Sequence, residues 1–237
     1  MGSRVNSPQQ LSLAVKLDDQ ATFDNFYAPR GTPQHLASLV LQDEGQQFAF
    51  VAGAPGTGLS HLLQAACQRT ALGRNAGAVY LPLSELGDYS PQDILEGLES
   101  ATLVCLDDLQ LVAYKPAWQE PLFNFFNRCR EAGTKLVMAA HGVPDELDVL
   151  LPDLLSRLKS GVILQLLQYK QDDQRRLLQH RASMRGLYLS NEVAVFLLNR
   201  LPRDSQGLMA ALETLDGASL QEQRRLTLPF VKDTLGL

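Results

Sequence analysis

Cysteine is scarce in this chain, with three in 237 residues. Cys67, Cys105 and Cys129 lie far apart, without the paired spacing of a thiolate metal site. Each sits in an apolar run, so buried free thiols in a reducing compartment are expected. The four histidines, His35, His61, His141 and His180, are equally scattered, which argues against a histidine-built metal centre. Positive charge is also short: 21 Lys and Arg stand against 26 Asp and Glu, a net charge of -5. A nonspecific grip on DNA or RNA needs a basic face, so only a small local patch or an indirect contact is compatible with this balance. No apolar run is long enough to span a bilayer and no signal peptide is visible, so a cytoplasmic protein without a membrane partner is expected. Repeats and low-complexity tracts are lacking as well. Apolar residues nevertheless make up 45%, enough to fill the core of one sizeable domain with a small appendage.

The most informative absence is a single lysine. Gly53-Ala54-Pro55-Gly56-Thr57-Gly58-Leu59-Ser60-His61 follows the apolar run Phe48-Ala49-Phe50-Val51 and precedes a helical run from Leu62. Strand, glycine-rich turn and helix form the context of a phosphate-binding loop, and the spacing places Gly53, Gly58 and Ser60 in register. Such a loop turns backbone N–H groups onto a phosphate, with the helix N-terminus adding positive potential. The position after Gly58 normally carries Lys, to neutralise phosphate charge. Here it is Leu59, which has neither charge nor donor. A charge-assisted hydrogen bond of about 1.5–3 kcal/mol is thereby lost.

A second run, Thr102-Leu103-Val104-Cys105-Leu106-Asp107-Asp108, ends four apolar residues in two carboxylates, the Walker B pattern. A continuous apolar run suits a central parallel strand. Asp107 at its C-terminal end is the candidate Mg²⁺ holder, together with Ser60, whenever nucleotide is bound. Asp108 is the carboxylate nearest an attacking water.

Around these two motifs the reading is of alternating strands and helices. Residues 1–22 form a polar tail in which Leu11, Leu13 and Val15 alternate, either as a short edge strand or as a peptide for another protein's groove. Phe23, Phe26 and Tyr27 pack near the base end of a nucleotide or simply against the core. Thr32-Pro33 opens a helix to about Asp43 with Leu36, Leu39 and Val40 on one face. A strand is expected at Ala78–Pro82, then a helix capped at Ser90-Pro91 with Ile94, Leu95 and Leu98 inside. Trp118–Ala132 is a periodic helix carrying Leu122, Phe123, Phe126 and Cys129. Lys135–Ala140 is a buried strand, followed by His141, which is either a phosphate sensor or a loop histidine capping a turn. Short helices are expected at Val143–Leu147 and Leu150–Leu158, with Arg157 exposed near the end of the second, where the helix dipole favours a cation anyway. Val162–Leu166 is the last strand. From Asp172 the pattern is helical only, with Leu177 and Leu178 inside the first helix. Ser190 caps a helix burying Val195, Phe196, Leu197 and Leu198. The change of pattern puts a boundary near Gln168, giving a base domain over 23–167 and an all-helical lid over 168–237.

Three stretches carry a resemblance: Gly56-Thr57-Gly58-Leu59-Ser60-His61-Leu62-Leu63, Leu106-Asp107-Asp108, and Leu151-Pro152-Asp153-Leu154-Leu155-Ser156-Arg157-Leu158. They resemble the DnaA branch of the AAA+ proteins. The tail from Gln223 to Lys232 is similar to the C-terminus of a regulatory member of that branch that has no DNA-binding domain. The resemblance covers essentially the whole chain. It implies an α/β fold: an AAA+ P-loop NTPase-like parallel-sheet domain followed by a small helical lid. It implies DnaA and the DNA polymerase III β sliding clamp as partners, with DNA met only through the clamp, and it is compatible with a homo-oligomer. Gln10-Leu11-Ser12-Leu13 is similar to that branch's clamp-binding peptide. Arg157 matches its arginine finger, which would act in trans on ATP held by DnaA. Gly53, Pro55, Gly56, Thr57, Gly58, Leu59, Ser60, His61 and Asp107 are the implied nucleotide contacts, for ADP or another nucleoside diphosphate.

The departures from that branch fall on its phosphate contacts. Leu59 replaces a basic residue, His141 and Gly142 replace a charged sensor pair, and Gln206 stands where a sensor arginine is expected, Arg203 being out of register. Feeble or absent ATP hydrolysis by the chain itself is therefore expected, with diphosphate binding weak or lost. Three functions are compatible with this: a negative regulator of replication initiation that stimulates hydrolysis on DnaA, a self-sufficient ATPase such as a helicase loader, or a degenerate scaffold on the clamp.

Overall fold

Three uninterrupted apolar runs become the three inner strands of a parallel sheet. The computed structural model describes residues 17–18, 21–73, 77–201, 205–222 and 224–237. In chain order the base contains α1 (Pro33–Gln42), β1 (Phe48–Gly53), α2 (Leu59–Ala71), β2 (Ala78–Pro82), α3 (Leu83–Leu86), α4 (Pro91–Leu95), β3 (Leu103–Asp107), α5 (Pro116–Ala132), β4 (Lys135–Ala140), α6 (Pro152–Leu158) and β5 (Val162–Leu166). The sheet runs β2-β3-β4-β1-β5 with every neighbour parallel. β1, β3 and β4 are covered on both faces, which is why they read as continuous apolar runs. Alternate residues go to opposite faces. Phe50, Val104, Leu106, Leu136 and Met138 meet α3, α4, α5 and α6 on one side. Ala49, Val51, Cys105, Val137 and Leu164 meet α1 and α2 on the other. Because all strands point the same way, the loops after β1 and β3 open on one edge, where ligands of such sheets bind.

Four helices follow: α7 (Gln171–Met184), α8 (Asn191–Arg200), α9 (Ser205–Glu222) and α10 (Leu228–Leu235). They enclose a separate cluster of Leu178, Ala182, Val193, Leu197, Leu212, Leu215, Phe230 and Val231. Ser190 caps α8 as its position suggests, its hydroxyl accepting from Val193 N at 3.3 Å. Ser90 precedes α4 but makes no such bond. The three cysteines are buried free thiols. Among the described residues no helix is long and apolar enough to cross a membrane.

Helical faces are where sequence periodicity misleads. Leu36 and Leu39 are exposed, and α1 instead buries Gln34, Ala37, Ser38 and Leu41. Gln34 is drawn inward because its side-chain amide donates to the Leu167 carbonyl beyond β5. In α5 Phe125 is buried alongside Trp118 and Phe126, while Phe123 is only half-buried. Likewise α8 buries Val193 and Ala194 and leaves Val195 exposed and Phe196 half-buried. Leu177 is half-buried beside the fully buried Leu178.

Candidate functional site

Five residues turn the chain from β1 into α2. Gly56 and Gly58 take left-handed φ values of 81° and 100°. A Cβ on Gly58 would lie 2.6 Å from Phe26 Cε2, and one on Gly53 would lie 2.6 Å from Thr57 Oγ1. Close approach thus requires both fixed glycines of the motif, and at Gly58 the dihedral adds to it. Thr57 is buried and ties the turn to itself: its N–H and its hydroxyl both donate to the Ala54 carbonyl, at 3.2 and 2.8 Å. Leu59 faces away from the turn. It is 7% exposed and packs in the cluster that holds Phe26, Leu62 and Leu63. Burial of such a side chain contributes about 1.5–3 kcal/mol, so the position has exchanged a phosphate contact for core packing.

Asp107, at the C-terminal end of β3, is 2% exposed. One carboxylate oxygen accepts from the Tyr80 hydroxyl at 2.7 Å and the other from Asp108 N at 2.9 Å. Burial pushes the Asp107 pKa up, with the Ser60 and Tyr80 hydroxyls opposing that through hydrogen bonds and the Asp108 charge adding to it. A buried carboxylate held above its ordinary pKa beside a serine hydroxyl is a donor set that fits a hard divalent cation. Tyr80, on β2, was not indicated by any motif. Tyr80→Phe is expected to destabilise the protein by about 1–3 kcal/mol at neutral pH, because one oxygen of a buried carboxylate loses its donor. With the folded-state pKa raised further, the penalty is full where the carboxyl is ionised and fades as pH falls through its titration. Urea denaturation at pH 7 and at pH 5 measures this; a loss that grows on acidification contradicts the account.

Asp108 is the sole described non-glycine residue at positive φ, 59°, a conformation aspartate tolerates better than most. Its carboxylate accepts from Gln110 Nε2 at 3.1 Å. Gln110 also braces His141: its amide nitrogen lies 3.2 Å from His141 Nδ1, and its oxygen accepts from His141 N at 3.1 Å. His141 Nε2 stands 3.9 Å from Asp108. The residue after β4 and the second carboxylate after β3 therefore share one polar cluster, with Gln110 as a bracing residue that no motif indicated. Arg157, in the last turn of α6, is half-buried rather than exposed. Its guanidinium carbon lies 5.7 Å from the centroid of the Phe123 ring, and its Nε is buried without a hydrogen-bond partner.

Above the glycine turn lies a cavity of about 310 Å³, at the lower end of the range for small-molecule sites. Its walls include Tyr27, Pro55, Gly58, Tyr169, Leu177 and Arg181. Tyr27 and Tyr169 are joined, the Tyr169 hydroxyl donating to the Tyr27 carbonyl at 2.5 Å. His61 stands behind this wall. Its Nε2 donates to the Thr22 carbonyl at 2.7 Å, and its Nδ1 accepts from Arg181 Nη2 at 2.6 Å. Burial, and then the Arg181 charge, push its pKa down to about 4, so the ring is neutral at pH 7 and the two bonds define its tautomer. Loop, N-terminal aromatics and lid thus meet around one space whose donors suit a nucleotide. Gln10, Leu11, Ser12, Leu13 and Arg203 lie outside the described residues, as does the side chain of Gln206. Among the described residues no cluster of three or more His, Cys, Asp or Glu side chains is placed to hold a metal ion.

The arrangement has relatives. The family model described as the bacterial DnaA ATPase domain matches residues 17–165, and the one described as the lid domain of Hda matches residues 171–235. Domain III of the Thermotoga maritima replication initiation protein DnaA is 21% identical, with a TM-score of 0.74 over 93% of this chain and 98% of that one. AMPPCP-bound DnaA from Aquifex aeolicus is 22% identical, with a TM-score of 0.70 over 87% and 68% of the two chains. A point variant of Thermotoga maritima RuvB is more distant, 18% identical with a TM-score of 0.64 over 91% and 71%. With more than half of its length matching the DnaA ATPase domain and the helices beyond it matching the Hda lid, the chain belongs to the bacterial DnaA family of AAA+ proteins.

Proposed function

We propose that this chain is a negative regulator of chromosomal replication initiation, acting as an activator of ATP hydrolysis on DnaA rather than as an ATPase of its own. The observation that carries this reading is the loop that keeps its glycine cradle while Leu59, in place of the phosphate-binding cation, is packed in the core. Such a site suits a resident diphosphate, ADP or a related nucleotide with Mg²⁺ at Ser60 and Asp107, better than turnover. Arg157 is then the working residue. Its side chain keeps an unsatisfied Nε, and a finger delivered in trans stabilises charge that develops on the transferred phosphoryl group. No chemistry in the chain's own loop is needed.

Residues 10–13 provide the second contact, with the β sliding clamp on DNA. Gln10 anchors by its amide while Leu11 and Leu13 fill apolar hollows, at the moderate affinity expected of a short peptide contact. Leu11→Ala combined with Leu13→Ala is expected to abolish retention on immobilised clamp. Undiminished retention of the double variant refutes this assignment.

The experiment that tests the function is single-turnover hydrolysis of ATP preloaded on DnaA, with DNA-loaded clamp, with and without this protein. Acceleration supports the reading, and its absence removes it. A second reading, an independent ATPase such as a helicase loader, is favoured only by the intact Asp107–Asp108 pair. Steady turnover by the purified chain, lost in Asp108→Asn, would establish that alternative.

A further inference from the structure

We infer that Arg181, on the lid helix α7, supplies to a nucleotide's phosphate chain the positive charge that Leu59 does not. The inference rests on the nucleotide-binding reading above and adds a residue to it. Arg181 lines the same cavity as Pro55, Gly56, Thr57 and Gly58 of the glycine turn. It is the one guanidinium among the described residues lining that space. Its Nε is buried without a hydrogen-bond partner, and among the described residues it forms no ion pair. Arg181 is half-buried, and burial is the largest influence on its charge, with Asp18 the one carboxylate that offsets it. A cation desolvated to that degree and not held in an ion pair is only partly compensated. An anion in the cavity supplies the missing partner.

The neighbour that Arg181 does have orients it without neutralising it. His61 donates a hydrogen bond from Nε2–H to the Thr22 carbonyl and presents only the Nδ1 lone pair to Arg181 Nη2. That leaves the other guanidinium donors for a ligand, in the planar fork that suits phosphate oxygens. His61 itself belongs to the first turn of α2, so Arg181 is tied to the helix whose N-terminus opens from the glycine turn. The fixed positive end of that helix and the guanidinium therefore act on the same space. The same tie links lid to base: a ligand held by both joins α7 to the loop. Arg181 comes from a different helix than α9, where the sensor arginine is expected and Gln206 is found.

The test compares wild type, Arg181→Met and Arg181→Lys as full chains. ADP is titrated by calorimetry and adenosine by ligand-observed NMR. Arg181→Met is expected to weaken ADP binding about 10- to 100-fold, with Arg181→Lys recovering part of that loss. Adenosine, which has no phosphate, is expected to bind all three alike. Undiminished ADP affinity in Arg181→Met overturns the inference and leaves the nucleotide reading intact. Equal losses of ADP and adenosine in both variants overturn it too, in favour of a packing role. Failure of wild type to bind ADP removes both readings together.

Discussion

On the proposed function, replacing Arg157 by alanine is expected to remove at least about 10³-fold of the acceleration proposed for hydrolysis of DnaA-bound ATP. The protein should otherwise stay folded. α6 is anchored by Leu154 and Leu158, 1% and 2% exposed, and Arg157 lies between them in sequence on the half-buried side of the last turn. Its guanidinium packs over the Phe123 ring, at a distance where a partly solvated cation–π pair contributes about 0.5–1 kcal/mol. A large kinetic loss with a small change in stability would thus mark a residue used outside its own subunit. Arg157→Lys should recover little, because an ammonium lacks the planar fork that spans phosphoryl oxygens. The measurement is the single-turnover assay, with urea denaturation and clamp retention as controls. If the alanine variant accelerates hydrolysis as wild type does, the chain is a scaffold that bridges clamp and DnaA.

The second large effect concerns Gly58. Gly58→Ala is expected to destabilise the protein by about 2–6 kcal/mol and to abolish the proposed ADP binding. Two costs add. An L-residue at a left-handed dihedral is strained by about 1–3 kcal/mol. The new methyl would also stand 2.6 Å from Phe26 Cε2, and Phe26 is 6% exposed, so overpacking adds about 1–3 kcal/mol. Phe26 in turn lies 5.4 Å from the His61 ring, and displacement would pass to the Arg181 contact. Gly31→Ala provides the control: its φ is 82°, but a Cβ there meets nothing within 4 Å. Urea midpoints of the two variants separate dihedral strain from the clash, and equal losses would show that Phe26 moves aside freely.

The features that could be read from residues alone are those whose causes lie within a few positions. The glycine turn is one, since its spacing is set by the path from strand to helix. The buried strands are others: a strand covered on both faces must be apolar at every position, as Leu103–Leu106 and Leu136–Ala140 are. Caps such as Ser190 belong with them, because donor and acceptor are three residues apart. The loss of the lysine at Leu59 was equally visible, though not where the leucine would go.

What the sequence left undecided was every choice between alternatives of equal local quality. α1 has two plausible faces, and the contact of Gln34 with Leu167, 133 residues away, selects the one that exposes Leu36 and Leu39. Tyr80 is an ordinary strand residue until β2 pairs with β3 and brings its hydroxyl to Asp107. Arg181 is indistinguishable from Arg175, Arg176 and Arg185 in a Gln- and Arg-rich stretch. Only docking of α7 beside α2 brings it to His61, 120 residues earlier in the chain. Local propensity and periodicity are determined by neighbours in sequence, so the chain specifies its elements and its loop by itself. The partner of a buried charge is determined by which distant element excludes water from it, and that is settled only when strands and helices pack.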